Sequence, residues 1–135
     1  MVLVDTSVWI DFLRGAPTVQ VAALESLLEG DDLVGTAPII LQEVLQGADS
    51  VARFEQWRRE FGGLMCHLPL DPIDSHVEAA RLYLACRRLG RTPRSSNDCL
   101  IAQIALEHDL VLLEDDPDFE AIAAVEKRLK LFESA

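Results

Sequence analysis

Apolar positions along the chain alternate between short continuous runs and longer stretches of helical period. Val2–Asp5 opens with a compact apolar run that predicts a short buried strand. Thr6–Arg14 then carries Val8, Trp9, Phe12 and Leu13 at helical spacing, with Gly15 as its stop. Pro17–Glu29 predicts a second helix, with Val21, Leu24, Leu27 and Leu28 on one face and Gly30 after it. Leu33–Thr36 is a second apolar strand, and Pro38 suits the first position of a helix running to Gly47. Ser50–Phe61 is amphipathic, with Val51, Phe54, Trp57 and Phe61 as its stripe and Gly62-Gly63 at its end.

The second half repeats the alternation. Leu64–Leu70 predicts a strand, and Asp71-Pro72 caps and opens a helix to about Leu89, with Ile73, Val77, Ala80 and Leu84 toward the core. Arg91–Ser96 is a polar loop, and Ser96 or Asn97 caps a helix continuing to about His108. Leu110–Leu113 is a strand, Asp115–Asp118 an acidic turn, Phe119–Val125 a short helix, and Lys127–Phe132 a last strand. Strands alternating with helices predict a three-layer α/β/α sandwich around a mainly parallel sheet of about four to five strands. No repeat or low-complexity segment interrupts it, and 135 residues fit one domain spanning residues 1–135.

Composition narrows the class. Half of the residues are apolar and 26% are charged, which excludes a disordered chain. No apolar run approaches the roughly 18–20 residues of a membrane span. The opening Met1-Val2-Leu3-Val4-Asp5 meets a carboxylate at once, so no secretory leader is expected. Cys66, Cys86 and Cys99 show no C-x-x-C spacing, which argues against a disulfide framework or a zinc site and for a reducing cytoplasm. The net charge of −11 argues against a large nucleic-acid footprint. Its distribution softens that objection: Arg53, Arg58 and Arg59 form one basic cluster, and Arg87, Arg88, Arg91 and Arg94 another. Arginine suits bidentate phosphate contact, although both clusters also fit solvated helix faces.

Ligands in open α/β sheets collect beyond the C-terminal ends of the strands. Asp5 ends the first predicted strand, and Asp115, Asp116 and Asp118 follow Leu110–Leu113. Asp98 lies in the first turn of its helix, and Glu43 sits in a short helix that is apolar on most sides. Each has an ordinary alternative: a cap, a helix-terminal charge, an exposed face, a solvated turn. Their joint placement is the stronger signal. Two like charges about 4 Å apart repel by roughly 4 kcal/mol at an effective dielectric of 20, so a convergent set needs protons or a cation. An all-oxygen set suits Mg²⁺ or Mn²⁺, and such an ion supports phosphodiester hydrolysis. His67, His76 and His108 share no ligand spacing and read as structural.

Other chemistries lack their parts. There is no phosphate loop and no Gly-x-Ser-x-Gly elbow. A phosphoaspartyl enzyme of the haloacid dehalogenase type needs a second acid two residues after its nucleophile, where Asp5 is followed by Thr6-Ser7. Lys127 and Lys130, far down the chain, are the only lysines available to such a site.

From Val2 to about Phe132 the sequence resembles the PIN-domain ribonucleases, and most of all the VapC toxins of bacterial toxin–antitoxin pairs. The opening Val4-Asp5-Thr6-Ser7-Val8-Trp9-Ile10-Asp11-Phe12-Leu13-Arg14-Gly15 is the strongest match. Glu43-Val44-Leu45-Gln46-Gly47, Asn97-Asp98-Cys99-Leu100-Ile101-Ala102 and Leu112-Leu113-Glu114-Asp115-Asp116-Pro117-Asp118-Phe119 are similar to the family's later motifs, in order. The resemblance implies that Asp5, Glu43, Asp98 and Asp116 are metal-binding, catalytic acids. It makes Asp118 an auxiliary acid and places Thr6, Ser7 and Asn97 around them. Glu114 stands where the family often has Thr or Ser; it could join the metal shell, tighten metal binding or face away, and it loosens the choice between Asp115 and Asp116. Asp11 is expected on another helix face.

The implied function is a Mg²⁺-dependent endoribonuclease toxin, with Mn²⁺ able to substitute. It would be a cytoplasmic homodimer that pairs with a VapB-like antitoxin and cuts transfer or ribosomal RNA. The cluster Arg53, Arg58 and Arg59 and the cluster Arg87, Arg88, Arg91 and Arg94 are then candidates for RNA-backbone contact. The alternatives are a PIN nuclease in RNA processing without an antitoxin, and a non-catalytic acidic module that holds a basic peptide.

Overall fold

The computed structural model describes residues 1–31 and 33–133. Strand β1 spans Val2–Val4 and leads into α1 (Thr6–Arg14) and α2 (Val19–Glu29). After β2 (Val34–Thr36) come α3 (Pro38–Gln46) and α4 (Val51–Phe61). Then follow β3 (Met65–Cys66), α5 (Pro72–Arg88), α6 (Asn97–Glu107), β4 (Val111–Leu113), α7 (Pro117–Val125) and β5 (Lys130–Leu131). The five strands form one sheet in the order β3-β2-β1-β4-β5, with every neighbouring pair parallel. This is the α/β architecture that the alternation predicts.

The chain builds outward from β1 in two directions: β2 and β3 on one side, β4 and β5 on the other. Right-handed crossovers therefore place the first four helices over one face and the last three over the opposite face. Most packing follows that division, with α1 on α2 and α3, α3 on α4, and α5 on α6 and α7, while α3 also meets α6. The strand order reverses between β1 and β4, whose register pairs Val4 with Leu113. Asp5 N–H continues the ladder to the Leu113 carbonyl at 2.9 Å. The turns leaving both strands thus emerge side by side, at the crevice where doubly wound sheets bind ligands.

The core explains why such short strands hold. Leu3 and Val4 are wholly buried in the central strand, and Leu112 and Leu113 lie beside them in β4. Val8, Leu24, Ile40 and Val44 close one face, while Ile101, Ile104, Phe119 and Ile122 close the other. Each such side chain contributes roughly 1.5–3 kcal/mol by leaving water. Gly15 ends α1 with φ +72°, a left-handed conformation that favours glycine. Gly35 in β2 is there for space instead. A Cβ at that position would lie 2.6 Å from His67 Nε2, so the glycine makes room for the buried imidazole.

Several expected faces and boundaries differ. The α5 stripe Ile73, Val77, Ala80 and Leu84 faces outward, and Ser75, Ala79, Leu82 and Cys86 face inward. Both stripes have helical period. The inner one wins because Ser75 and Ala79 let α5 approach α6 and α7 closely. Val51 and Phe54 of α4 are exposed, and only Phe61 is fully buried, because α4 packs through its C-terminal end. Leu28 is exposed as well. The expected strand Leu64–Leu70 shrinks to Met65–Cys66, and Lys127–Phe132 shrinks to Lys130–Leu131; each pairs on one side only. The expected acidic turn closes early, since Pro117 already begins α7 with Asp116 as its cap. His67 and His108, separate in sequence, pack with ring centroids 5.1 Å apart.

Candidate metal centre

Helix starts deliver the acids. Asp5 is the N-cap of α1, Asp98 lies in the first turn of α6, and Asp116 is the N-cap of α7 with Asp118 in its first turn. The orphan backbone N–H groups and the helix dipole favour carboxylates at these places. Capping and convergence are therefore one arrangement, because each of these helices begins where a strand or loop reaches the same sheet edge. Glu43 arrives differently, from the body of α3, and it is half-buried.

Together these side chains line an open cleft of about 360 Å³ with Thr6, Ser7, Ile10, Arg94 and Ser95. One oxygen from each of Asp98, Asp116 and Asp118 lies within 4.8 Å of the others. Neighbouring donors set the remaining oxygens. Ser7 donates to Asp5 Oδ2 from its hydroxyl at 2.6 Å and its backbone N–H at 3.2 Å. Thr6 Oγ1 donates to Glu43 Oε1 at 2.8 Å, and Asn97 Nδ2 reaches Glu43 Oε2 at 3.4 Å. Asp118 N–H donates to Asp116 Oδ1 at 2.9 Å. Arg94 donates its backbone N–H to Asp118 Oδ2 at 2.8 Å and Nη2 to Asp116 Oδ1 at 3.0 Å. Asp98 Oδ2 is buried and has no hydrogen-bond partner among the described residues.

Electrostatics follow from this crowding. Burial pushes the Asp98 carboxyl up to about 8, helped by the charges of Asp5, Asp116, Asp118 and Glu43. Burial also raises Asp5 despite the bonds from Ser7. Buried carboxylates that repel one another are stable as a set only with protons or a cation among them. The unpartnered Asp98 oxygen and the purely oxygen donor set fit a hard divalent ion.

The remaining sequence candidates divide cleanly. Asp115 is exposed and outside the cleft lining, so Asp116 is the member of that pair that reaches the site. Glu114 Oε2 accepts the Asp116 backbone N–H at 2.8 Å and holds the turn after β4. Burial raises its carboxyl, with the charges of Glu120, Asp5 and Asp115 adding to the effect. Asp11 is half-buried and outside the lining. Arg87, Arg88 and Arg91 are exposed at the end of α5 and beyond it, outside the cleft lining. Ser95 and Ile10 were not expected in the lining. Nothing in the pattern around a loop serine marks it, and Ile10 reads as an ordinary helix position.

A family model described as the PIN domain matches residues 2–125. Ribonuclease VapC11 of Mycobacterium tuberculosis is 34% identical over 126 residues, which cover 93% of each chain. Ribonuclease VapC32 of the same species is 33% identical over 124 residues, covering 92% of this chain and 91% of that protein. Among solved structures, VapBC2 from Rickettsia felis bound to a promoter DNA fragment is similar over 100% of both chains, with a TM-score of 0.74 and 16% identity. VapBC-1 from nontypeable Haemophilus influenzae is similar over 98% of both, with a TM-score of 0.68 and 22% identity.

Proposed function

Because the chain belongs to the PIN-domain family, we propose that it is a metal-dependent endoribonuclease acting as the toxin of a toxin–antitoxin pair. The observation that carries this reading is the meeting of Asp98, Asp116 and Asp118 oxygens within 4.8 Å, beside Asp5 and Glu43, at the strand-order reversal. The ribonuclease names of the relatives support the reaction class. The toxin–antitoxin complexes among the structural neighbours support a VapB-like partner.

Asp5, Asp98 and Asp116 would hold Mg²⁺ or Mn²⁺, with Asp118 and Glu43 completing or orienting the set. Such an ion lowers the pKa of bound water and neutralises charge that develops at a phosphate. The chain's own groups prepare that site. Ser7 holds one Asp5 oxygen, and Thr6 and Asn97 hold both Glu43 oxygens, so Asp5 and Glu43 are oriented before anything binds. Pre-orientation of this kind lowers the reorganisation needed when substrate arrives. The acidic cleft also suits a basic side chain of an antitoxin, which would block the site by charge complementarity. Transfer or ribosomal RNA is the substrate class, and the working form is a cytoplasmic homodimer. Among the described residues no helix is long and apolar enough to cross a membrane.

Induced expression in a bacterial host tests the toxin reading. Wild type is expected to arrest growth, Asp98→Asn to permit it, and co-expression of the product of an adjoining small reading frame to relieve the arrest. Growth unaffected by soluble, folded wild type would contradict it. Arrest that no neighbouring product relieves would favour an RNA-processing nuclease without an antitoxin.

A further inference from the structure

Among the described residues, five carboxylates line the cleft, from Asp5, Glu43, Asp98, Asp116 and Asp118. RNA is a polyanion, so a phosphate entering this cleft meets repulsion that a single divalent ion only partly offsets. Among the described residues, the one cationic side chain in the lining is Arg94.

Arg94 comes from the loop between α5 and α6, and two separate attachments hold it. Its backbone N–H donates to Asp118 Oδ2 at 2.8 Å, which fixes the loop whatever the side chain does. Its Nη2 donates to Asp116 Oδ1 at 3.0 Å, while Nε lies 3.8 Å from Asp118 Oδ2. That side chain is 75% exposed, so the pair is screened and readily exchanged. Asp116 Oδ1 also accepts the Asp118 N–H at 2.9 Å, so departure of the guanidinium leaves that oxygen partnered. A guanidinium has five donors in a planar fork suited to phosphate, and only one is bonded to Asp116 here.

We propose that Arg94 is the residue that contacts the RNA phosphate in the cleft, tethered by Asp116 in the free protein and handed to a substrate phosphate beside the acid cluster. The inference rests on the nuclease reading and adds to it the residue that admits the anion. Tethering matters because a long side chain held at the cleft edge has already lost much of the freedom that binding would cost it. With Asp98, Asp116 and Asp118 holding a divalent ion, the Arg94 guanidinium would be held less tightly by Asp116 and freer to meet a phosphate.

The test compares wild type with Arg94→Gln and Arg94→Lys. Binding of a fluorescein-labelled single-stranded RNA of mixed sequence is followed by anisotropy, with Ca²⁺ in place of Mg²⁺, across a salt series. Mg²⁺ affinity is measured separately by calorimetry. Arg94→Gln is expected to weaken RNA binding about tenfold, as loss of one charged hydrogen bond does. It should reduce the log–log salt slope by about 0.7, the value for one lost contact to a single strand. In cleavage assays it should raise KM more than it lowers kcat. Arg94→Lys restores the salt slope without the full affinity, and Mg²⁺ binding by Arg94→Gln is as tight as in wild type or tighter. An unchanged RNA affinity and slope would overturn the proposal. So would weakened Mg²⁺ binding with a matching loss of RNA binding, which would make Arg94 only an orienter of the acids. If wild type itself neither binds nor cuts RNA, the nuclease reading fails and takes this one with it.

Discussion

Asp98 shows how one residue can burden the fold and equip the site. Its Oδ2 is buried without a partner among the described residues, and its carboxyl is pushed up to about 8 by burial and by the surrounding acids. The folded chain thus binds a proton that the unfolded chain, at the ordinary value of 3.8, has released. That protonation stabilises the metal-free fold fully below the unfolded value, and the contribution is lost as pH rises to about 8. Asp98→Asn removes the dependence. In EDTA the variant is expected to be more stable than wild type by about 1–3 kcal/mol at pH 8 and above, with the gap closing toward pH 4. Urea unfolding across that range measures it, and a gap independent of pH would contradict the charge-crowding account. A second residue-scale prediction concerns Ser7, whose hydroxyl holds Asp5 Oδ2 at 2.6 Å. Ser7→Ala should lower cleavage or metal affinity about 10–100-fold, as loss of an orienting partner does, while the thermal midpoint stays close to wild type. The acids were legible in the sequence as types and positions. Which oxygen each leaves free was not, because that depends on donors from distant segments, such as Asn97 reaching Glu43 from another helix.

At the scale of elements, order and type were legible and facing was not. Period identifies a helix but cannot choose between two stripes offset by two residues, and α5 carries both. Its buried stripe, Ser75, Ala79, Leu82 and Cys86, is less apolar than the exposed one, so a hydrophobicity count points to the wrong side. A polar contact across 32 residues adds to the close packing at Ser75 and Ala79: Ser75 Oγ donates to both Glu107 oxygens, at 2.7 and 3.0 Å, and joins α5 to α6. Glu107 remains below the usual carboxylate range despite partial burial, because Leu70 N–H, Gln103, Ser75 and nearby His108 favour its charged form. Leu82→Ala should therefore cost about 2–4 kcal/mol through the cavity it leaves. Ile73→Ser, at a position 77% exposed, should stay within about 0.5 kcal/mol. Denaturant midpoints in dilute solution compare them, and the opposite ranking would restore the outer stripe as the core face. The two outermost strands were read too long because each pairs with a single neighbour, and backbone pairing leaves no trace in composition.

For the whole molecule, the alternation of strands and helices was enough to locate the sheet edge where the acids gather. A parallel sheet that grows outward from its first strand in both directions must have a crevice where the order reverses, and Asp5 and Asp116 stand at its mouth. Part of the net charge of −11 gathers there, since carboxylates dominate the described lining of the cleft. Substrate choice was not legible, because it depends on groove shape and loop contacts that no short motif encodes. The most direct measurement is cleavage of total cellular RNA by the purified, antitoxin-free protein in Mg²⁺, in Mn²⁺ and in EDTA, beside Asp98→Asn. Discrete products with either metal, absent in EDTA and with the variant, are the predicted result. Products that persist in EDTA or with Asp98→Asn, or none from a folded protein that metal does not stabilise, would contradict the account.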